Sequence, residues 1–459
     1  MQFRIKTIEH LIAGAKAKPL KKTLGAFDLI LLGIGCTIGT GIFVLTGIAA
    51  AQYAGPAITL SYLISGIACI FASLAYSELA ASIPVAGGSY TYTYAILGEF
   101  AAWMVACGIS LCYTIGGATV AAGWSGYFVG IVNAAGYHIP EMLTKIPAEG
   151  GIVNLPAVCV VLFIGFFLIR GTKESIILNR ILVALKLAII FFFIFIAAPH
   201  IKIENITNDF MPFGLNGVFT GAAAIFIAYI GFEAVATAAE ETKHPNRDLP
   251  IGIIGSLLVC IVVYVAVALA LTGITNYTEL NNAEPMAFAL RQNGNNLGGA
   301  LIGTGAIAGM VAVLLVLMYS QSRIYFVMSR DGLLPKFFSK MHKKFETPYI
   351  SCIIVTISVA LFTGFVPIQT IASITSLGAI FAFIVTSFCV MVLRVKRPKL
   401  ERPFHCPAVF IIAPLAILVC GYLLYSLLIA TLHVSLIWLV CSVAGYFLYA
   451  YKKSPLNHK

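Results

Sequence analysis

The stretch GIGCTIGTGIF, Gly33 to Phe43, places four glycines in eleven residues within an apolar region long enough to cross a bilayer. Each glycine costs about 1 kcal/mol relative to alanine in a helix interior, so a helix is weakest here. A dinucleotide-binding loop is excluded, because it needs a preceding strand in a soluble βαβ unit. Two interpretations stay open: a packing surface in which Gly35 and Gly39 admit a neighbouring helix, or a broken helix in which Thr37 to Gly41 leave helical geometry.

The composition around this stretch is that of a protein whose main solvent is lipid. Hydrophobic residues make up 60% of the 459 residues, charged residues 10%, and the mean hydropathy is +0.97. These values exclude a soluble globular class. Apolar stretches long enough to span a bilayer predict about 12 transmembrane helices, which we number segments 1 to 12: 27–51, 57–80, 95–132, 152–170, 177–199, 216–239, 251–274, 299–328, 350–366, 369–393, 408–430 and 433–452.

Basic residues predict the orientation of these segments. If the amino terminus is cytoplasmic, 25 of the 29 Lys and Arg residues fall in cytoplasmic segments and loops. The positive-inside rule therefore predicts that both termini are cytoplasmic. Because the basic residues are dispersed over six short segments, the net charge of +11 indicates membrane topology and attraction to anionic lipid, and nucleic-acid binding is not expected.

If segment 1 is a broken helix that binds a ligand, segment 6 is expected to contain a matching break. Unwound backbone at membrane depth survives only where it lines a cavity or contacts a ligand, and the following half-helix points N–H groups at an anion such as a carboxylate. Transporters built from two inverted repeats of five helices repeat the break in the sixth helix. Segment 6 contains IFIAYIGFEAVATAAEE, Ile225 to Glu241, with Gly231 in its middle and Glu233 two residues later. An intramembrane carboxylate costs about 3 kcal/mol, which indicates a function.

Two further charged residues lie within or beside the segments. Lys186 in segment 5 has two interpretations: its side chain extends to the cytoplasmic interface, or its ammonium lies in the bundle interior, where it replaces a metal cation or transfers protons. Glu78, at the predicted cytoplasmic end of segment 2, is expected to make a structural or gating contact. The eleven cysteines form no C-x-x-C pair and are expected to be small apolar core residues.

Six motifs in order resemble those of the amino acid-polyamine-organocation superfamily, in particular the bacterial branch of the cationic amino acid transporter family. They are GIGCTIGTGIFVLTG, AYSELAASIPVAGGSYTYTY, AAGWSGY, AYIGFEAVATAAEETKHPNRDLP, SRIYFVMSRDGLLP and RPFHCP, and the similarity runs from about Leu24 to Pro407. The resemblance implies an all-α membrane protein with a LeuT-like 5+5 inverted repeat, two additional carboxy-terminal helices, and discontinuous helices 1 and 6. The implied divisions are a cytoplasmic segment 1–26, repeats 27–199 and 216–394 joined by an external connection 200–215, helices 11 and 12 with their preceding loop at 395–452, and a cytoplasmic tail 453–459.

The resemblance also implies a binding site for an amino acid. The substrate carboxylate would bind the backbone N–H groups of Gly39, Thr40 and Gly41. The substrate amine would meet backbone carbonyls of the two breaks, at Thr37, Ile38, Ile227, Ala228 and Ile230. Lys186 matches a lysine that in proton-coupled members lies where sodium-coupled relatives bind a cation, so sodium coupling is disfavoured. Glu233 matches an acidic position, usually aspartate, and is assigned with Lys186 to coupling.

One departure from the family bears on specificity. Cys112 in segment 3 stands where many bacterial members carry a glutamate, and a thiol is a poor proton relay at neutral pH. Losing a carboxylate also disfavours strongly cationic substrates. The sequence therefore predicts a secondary transporter of neutral L-amino acids in the cell membrane, working by alternating access and coupled to protons, with Phe226 and Phe232 as gating candidates. An exchanger and a transporter of cationic amino acids are the alternatives; an enzyme, a cofactor and a bound metal are not expected.

Overall fold

The computed structural model of the chain describes residues 4–17, 20–134, 136–282, 284–366, 368–430 and 432–458. The predicted terminal segments 1–26 and 453–459 therefore lie partly outside the described residues. Every one of the twelve apolar segments forms helix over most of its described length. Among the described residues the β contact is a single parallel bridge between Leu24 and Thr242, so the chain is an all-helical protein.

Ten of the segments are helical throughout most of their length, and segments 1 and 6 are interrupted. The helices of the ten are Ile58–Ser82, Glu99–Ala134, Leu155–Arg170, Thr172–Ala197, Pro245–Ile274, Asn296–Arg330, Tyr349–Phe365, Ile368–Lys396, Val409–Ala430 and Leu432–Gly445, the last continuing through Tyr446–Ala450 and Tyr451–Lys453. Shorter helices are Ile8–Ala17, Ser89–Ile96, Ile203–Thr207 and Pro285–Gln292. Local sequence explains two of the helix starts: the Asn154 side chain caps segment 4 by accepting from the N–H of Ala157 at 3.3 Å, and Pro245 is the first residue of the segment 7 helix.

Eight helices of the described chain are long and apolar enough to cross a membrane, and four shorter apolar helices accompany them. One of the eight, Gly41–Ser82, joins the second half of segment 1 to segment 2. The two are separated only by a tight turn at Gly55, whose φ of +61° favours glycine. These helices make the chain an integral membrane protein.

The bundle has two ends that differ in the parts of the chain that cover them. At one end, which we call the termini face, residues 4–17 and 451–456 pack near Glu99 and Asp331, through contacts such as Lys6 with Asp331 at 2.6 Å. The other end, which we call the loop face, carries the described connecting residues 136–154, 198–213, 275–282 and 284–295. Segment 3 is central, because 83% of its most apolar 18-residue stretch is buried, whereas segment 12 is peripheral, with 22% of the corresponding stretch buried.

Candidate substrate site at the two helix breaks

The break in segment 1 is shorter than predicted. The first half-helix, Ala26–Thr37, ends where Ile38 turns extended at φ −78° and ψ 101°. Thr40 is already helical at φ −54° and ψ −27°, and Gly41–Leu45 continue as a wide, π-type turn. The predicted unwound stretch Thr37 to Gly41 is thus confined to Ile38 and Gly39. The physical reason is that the second half-helix begins early: the Gly39 carbonyl already accepts a hydrogen bond from the N–H of Ile42 at 3.2 Å.

The break in segment 6 lies at Ile230 and Gly231. The α-helix Gly214–Ile225 tightens into a 3₁₀ turn over Phe226–Tyr229, and Ile230 is extended at φ −64° and ψ 130°. Gly231 has a φ of +135°, and a short helix resumes at Ala234–Thr237. One glycine therefore suffices for this break, because its conformation is one that residues with a Cβ rarely adopt.

Replacing Gly231 by alanine is expected to destabilise the protein by about 2 kcal/mol or more, since a side chain at positive φ is strained. A Cβ here would also lie 2.9 Å from Sγ and 3.0 Å from the backbone carbon of Cys36. The thermal unfolding midpoint of the purified protein in detergent measures this effect. Gly303→Ala is the matched control, because a Cβ at Gly303 meets no atom within 4 Å. Equal midpoints for the two variants would contradict the expectation.

The two breaks touch each other. A Cβ added at Gly41 would lie 2.4 Å from Cβ and 2.8 Å from Cα of Ala228, so the backbones approach as closely as glycine permits. On the far side of segment 1, a Cβ at Gly39 would lie 2.7 Å from Cγ2 of Val313. The glycines thus act as packing positions as well as break positions, and both initial interpretations of the stretch Gly33 to Phe43 hold in part.

A cavity of about 700 Å³ opens beside the breaks. It runs along one face of segment 3 from Cys112 to Tyr127, which corresponds to roughly 22 Å at the helical rise per residue. Glu149 and Glu284, in connections of the loop face, line its mouth. The cavity therefore opens to the loop face and ends near the middle of the bundle.

Seven of the eight predicted backbone ligands line this cavity: Thr37, Gly39, Thr40, Gly41, Ile227, Ala228 and Ile230. The N–H groups at the start of the second half-helix of segment 1 are those that a helix leaves without an intrahelical acceptor. Ile38 is the exception. It is fully buried, and its carbonyl accepts a hydrogen bond from the Lys186 ammonium at 2.8 Å.

Tyr264 of segment 7 was not predicted, and it links the two breaks directly. Its hydroxyl lies 2.8 Å from the carbonyl of Thr37 and 2.8 Å from the carbonyl of Ala228. A hydroxyl has one proton, so it donates fully to only one of these carbonyls at a time. The available signal was a tyrosine in the apolar run IVVYVAVALA, since a buried tyrosine hydroxyl needs a partner.

Lys186 lies in the bundle interior, and the interfacial alternative is excluded. Its side chain is fully buried, and its ammonium donates to the carbonyls of Ile34 at 3.0 Å, Gly35 at 2.9 Å and Ile38 at 2.8 Å. The carbonyls of Ile34 and Gly35 lie in the last turn of the first half-helix Ala26–Thr37, at the negative end of its dipole, and Ile38 is the residue that follows this helix. Lys186 therefore occupies the carboxyl end of the half-helix that stops at the break.

Glu233 occupies the complementary position in segment 6. Its carboxylate accepts from the N–H of Gly231 at 2.8 Å and from the hydroxyl of Tyr113 at 3.4 Å, and the residue is buried. It immediately precedes the short helix Ala234–Thr237. A cation thus lies at the carboxyl end of one half-helix and an anion at the amino end of the other.

The gating candidates Phe226 and Phe232 do not line the cavity. Both are buried against Phe383 of segment 10, with ring centroids at 6.5 Å and 5.1 Å. Tyr76 of segment 2 packs against Phe232 and Phe383 in the same aromatic cluster. Any gating by these two phenylalanines would therefore act through this buried cluster rather than at the mouth.

Buried ion pairs occupy the bundle between the cavity and the termini face. Arg323 and Glu241 are each 1% exposed and lie 2.7 Å apart, and Arg330 binds Glu240 through two hydrogen bonds of 2.8 Å and 2.6 Å. The predicted structural contact of Glu78 is present: Arg394 binds it at 2.7 Å through both carboxylate oxygens. These pairs join segments 2, 6, 8 and 10, so the bundle is closed at this end.

Backbone hydrogen bonds and the chain ends complete this closure. The N–H groups of Thr23 and Leu24 donate to the carbonyl of Glu241 at 2.9 Å and 3.0 Å, which ties the start of segment 1 to the end of segment 6. Glu99, at the start of segment 3, is 1% exposed and accepts from the hydroxyls of Tyr446 and Ser454 near the carboxy terminus. Arg4 of the amino-terminal segment lies 3.8 Å from the same carboxylate.

Comparison with known proteins agrees with this architecture. A family model for amino acid permeases matches residues 24–447. The chain is 45% identical to the branched-chain amino acid permease BcaP and 43% identical to the methylthioribose transporter, both of Bacillus subtilis, over 99% of each protein. It is also 34% identical to the vacuolar cationic amino acid transporter 4 of Arabidopsis thaliana, over 85% of this chain and 66% of the relative. The chain belongs to the amino acid permease family of the amino acid-polyamine-organocation superfamily.

Proposed function

We propose that the protein moves neutral L-amino acids across the cell membrane by alternating access, with the substrate bound between the two helix breaks. The observation that carries this proposal is the joint placement of free N–H groups and carbonyls at the closed end of one cavity. The N–H groups of Gly39, Thr40 and Gly41 suit a carboxylate, and the carbonyls of the breaks suit an ammonium. A zwitterion satisfies both sets at once.

The amine site is proposed at Thr37, Ile227, Ala228 and Ile230. Ile38 is left out, because Lys186 already binds its carbonyl. The carbonyls of Thr37 and Ala228 share one hydroxyl proton from Tyr264, so each keeps acceptor capacity for an ammonium. The proposal therefore needs no displacement of a fully bonded group.

The wider arrangement follows the same proposal. Segments 1 to 5 at 27–199 and segments 6 to 10 at 216–394 form two inverted repeats, with segments 11 and 12 appended, as in LeuT-like transporters. Both termini are proposed to be cytoplasmic, in line with the positions of the basic residues. The cavity then opens outward, and the ion pairs close the cytoplasmic side.

Neutral substrates are favoured by the lining of the cavity. Its carboxylates, Glu149 and Glu284, lie at the mouth, and Glu284 is paired with Arg291 at 3.1 Å. At the depth of the breaks, segment 3 contributes Cys112, which cannot compensate a cationic side chain. Relatives named for branched-chain and for cationic amino acids both occur, and uptake measured with both classes of amino acid distinguishes between them.

Proton coupling is proposed through Lys186 and Glu233, the two charged groups placed at the half-helix ends. Lys186 binds carbonyls of the segment 1 break and Glu233 binds an N–H of the segment 6 break. A change in the charge of either group would alter the free energy of these contacts. Protonation and the geometry of the breaks are thereby linked.

The test is uptake into liposomes that contain the purified protein. With an imposed inward proton gradient, labelled leucine, serine or alanine is expected to accumulate, and a protonophore is expected to abolish accumulation. Uptake that ignores the gradient and requires amino acid loaded inside would show exchange. Competition by arginine alone, or by methylthioribose alone, would overturn the neutral amino acid assignment. A preparation that takes up none of these amino acids would overturn the proposed function.

A further inference from the structure

A second concave surface lies away from the cavity, on the outside of segment 7. It is a groove with a volume of about 520 Å³. One wall is roughly the first four turns of the segment 7 helix, and the other is a short stretch of the loop that precedes segment 11. We call it the segment 7 groove and define it by six of the residues that line it: Arg247, Ile251, Ile254, Leu258, Pro403 and Phe404.

The loop wall of the groove is held in place by Glu78 from two sides. The Arg402 guanidinium lies 3.2 Å from the Glu78 carboxylate, and the N–H of Cys406 donates to the same carboxylate at 2.8 Å. Both of these anchoring residues are buried. Pro403 and Phe404 lie between them in the chain, so they form a fixed ridge beside segment 7. The groove is therefore a preformed part of the fold.

The segment 7 wall is an apolar stripe with exposed side chains. Ile251 and Leu258 are 38% and 48% exposed, and Ile254 between them is half-buried. Arg247 lies on the same stripe, because the four residues recur at helical intervals of four and three. From Arg247 to Leu258 the helix rises about 16 Å, which is roughly half of the hydrocarbon thickness of a bilayer, about 30 Å. The length of the stripe therefore matches one leaflet.

Arg247 is the charged residue at the termini-face end of this stripe. It is exposed, and no carboxylate among the residues that the structure describes forms an ion pair with it. The neighbouring Asp248 is buried in the bundle at 5% exposure. Asn246 lines the groove beside Arg247 and adds a second hydrogen-bond donor. Because a guanidinium binds phosphate through paired hydrogen bonds, this end of the groove complements an anionic headgroup.

We propose that the segment 7 groove binds one anionic phospholipid from the leaflet on the termini side. Its phosphate would bind Arg247 and Asn246, and an acyl chain would lie along Ile251, Ile254 and Leu258. The apolar stripe and the fixed ridge favour a lipid over a soluble phosphate, which would use only the two polar residues. This inference is independent of the transported substrate, so its failure would leave the proposed function standing.

The experiment is native mass spectrometry of the protein in a neutral detergent, titrated with phosphatidylglycerol or with phosphatidylcholine. The wild type is expected to bind the first phosphatidylglycerol molecule more tightly than the first phosphatidylcholine molecule. Arg247→Gln is expected to weaken the binding of phosphatidylglycerol by about fivefold, which corresponds to about 1 kcal/mol for one basic residue at an anionic lipid surface. Lys343→Gln is the matched control, because Lys343 is an exposed cation of the termini face that does not line the groove. It is expected to leave the affinity unchanged.

Two further measurements separate the headgroup from the acyl chain. Phe404→Ala removes most of the ridge, so it is expected to weaken the binding of both lipids by a similar factor, whereas Arg247→Gln lowers the preference for phosphatidylglycerol. Glycerol 3-phosphate, which has the anionic group without the chains, is expected not to displace the lipid. Displacement by glycerol 3-phosphate would identify a soluble phosphate ligand and overturn the inference.

Three other results would also overturn it. They are equal affinities of the wild type for the two lipids, an Arg247→Gln variant that binds phosphatidylglycerol as tightly as the wild type, and an equal loss in Lys343→Gln. Arg247 and Lys343 are both exposed, so both variants are expected to keep the unfolding midpoint of the wild type in detergent without added lipid.

Discussion

Lys186→Met is expected to lower proton-driven amino acid uptake by roughly 100-fold or more. The substitution keeps most of the side-chain length but removes three charge-assisted hydrogen bonds to the carbonyls of Ile34, Gly35 and Ile38. Each such bond contributes about 1.5–3 kcal/mol, and about 1.4 kcal/mol is a factor of ten. The loss of even two bonds therefore exceeds a hundredfold.

Initial rates of labelled leucine uptake under an imposed proton gradient measure this effect. Lys202→Met is the control, because Lys202 is exposed and lies on the loop face. Counterflow of leucine without a gradient separates two causes: a coupling role predicts that Lys186→Met keeps counterflow, whereas a purely structural role predicts that both activities are lost. Full gradient-driven accumulation by Lys186→Met would remove Lys186 from the coupling mechanism.

Arg323→Met is expected to destabilise the protein by about 3–5 kcal/mol, because it leaves the carboxylate of Glu241 buried and uncompensated. Both residues are 1% exposed, and the guanidinium also lies 4.3 Å from the centre of the Tyr319 ring. The double variant Arg323→Met with Glu241→Leu removes both charges. It is expected to recover most of the lost stability, since an apolar pair can replace a buried ion pair at little cost.

The unfolding midpoint in detergent, measured for both single variants and the double variant, tests this expectation. Arg397→Met is the control: Arg397 pairs with Glu9 at 3.2 Å, but the two side chains are 48% and 65% exposed, and an exposed pair contributes little. The expectation is wrong if the double variant is no more stable than Arg323→Met. In that case the destabilisation comes from lost packing rather than from the unpaired charge.

Hydropathy was sufficient to predict the helices, because a span of about 20 apolar residues has few other structures available in lipid. The glycines of the stretch Gly33 to Phe43 located the first break, but they did not set its limits. Whether Thr40 is helical depends on the turn that follows it, where the N–H of Ile42 donates to the carbonyl of Gly39. Glycine composition indicates where a helix is weak, whereas tertiary contacts decide which residues leave it.

The partners of the charged residues could not be predicted from one sequence. Lys186 was predicted to lie within a segment, but its carbonyl partners are about 150 residues away in the chain. Arg323 and Glu241 are 82 residues apart, and Arg394 and Glu78 are 316 apart. No periodicity relates such positions. Tyr264 was missed for the same reason, since the carbonyls it binds become available only when two separate helices break at one depth.

The burial of Glu99 between the two chain ends has a practical consequence. Arg4 donates to the carbonyl of Tyr451 at 3.2 Å and lies over the ring of that residue, so the amino-terminal and carboxy-terminal segments are in contact at these two residues. Fluorophores attached to both ends would show high energy transfer in this conformation. Departure of either end from the Glu99 carboxylate would be visible as a drop in transfer efficiency, which gives a spectroscopic signal for opening of this side of the molecule without a label in the membrane.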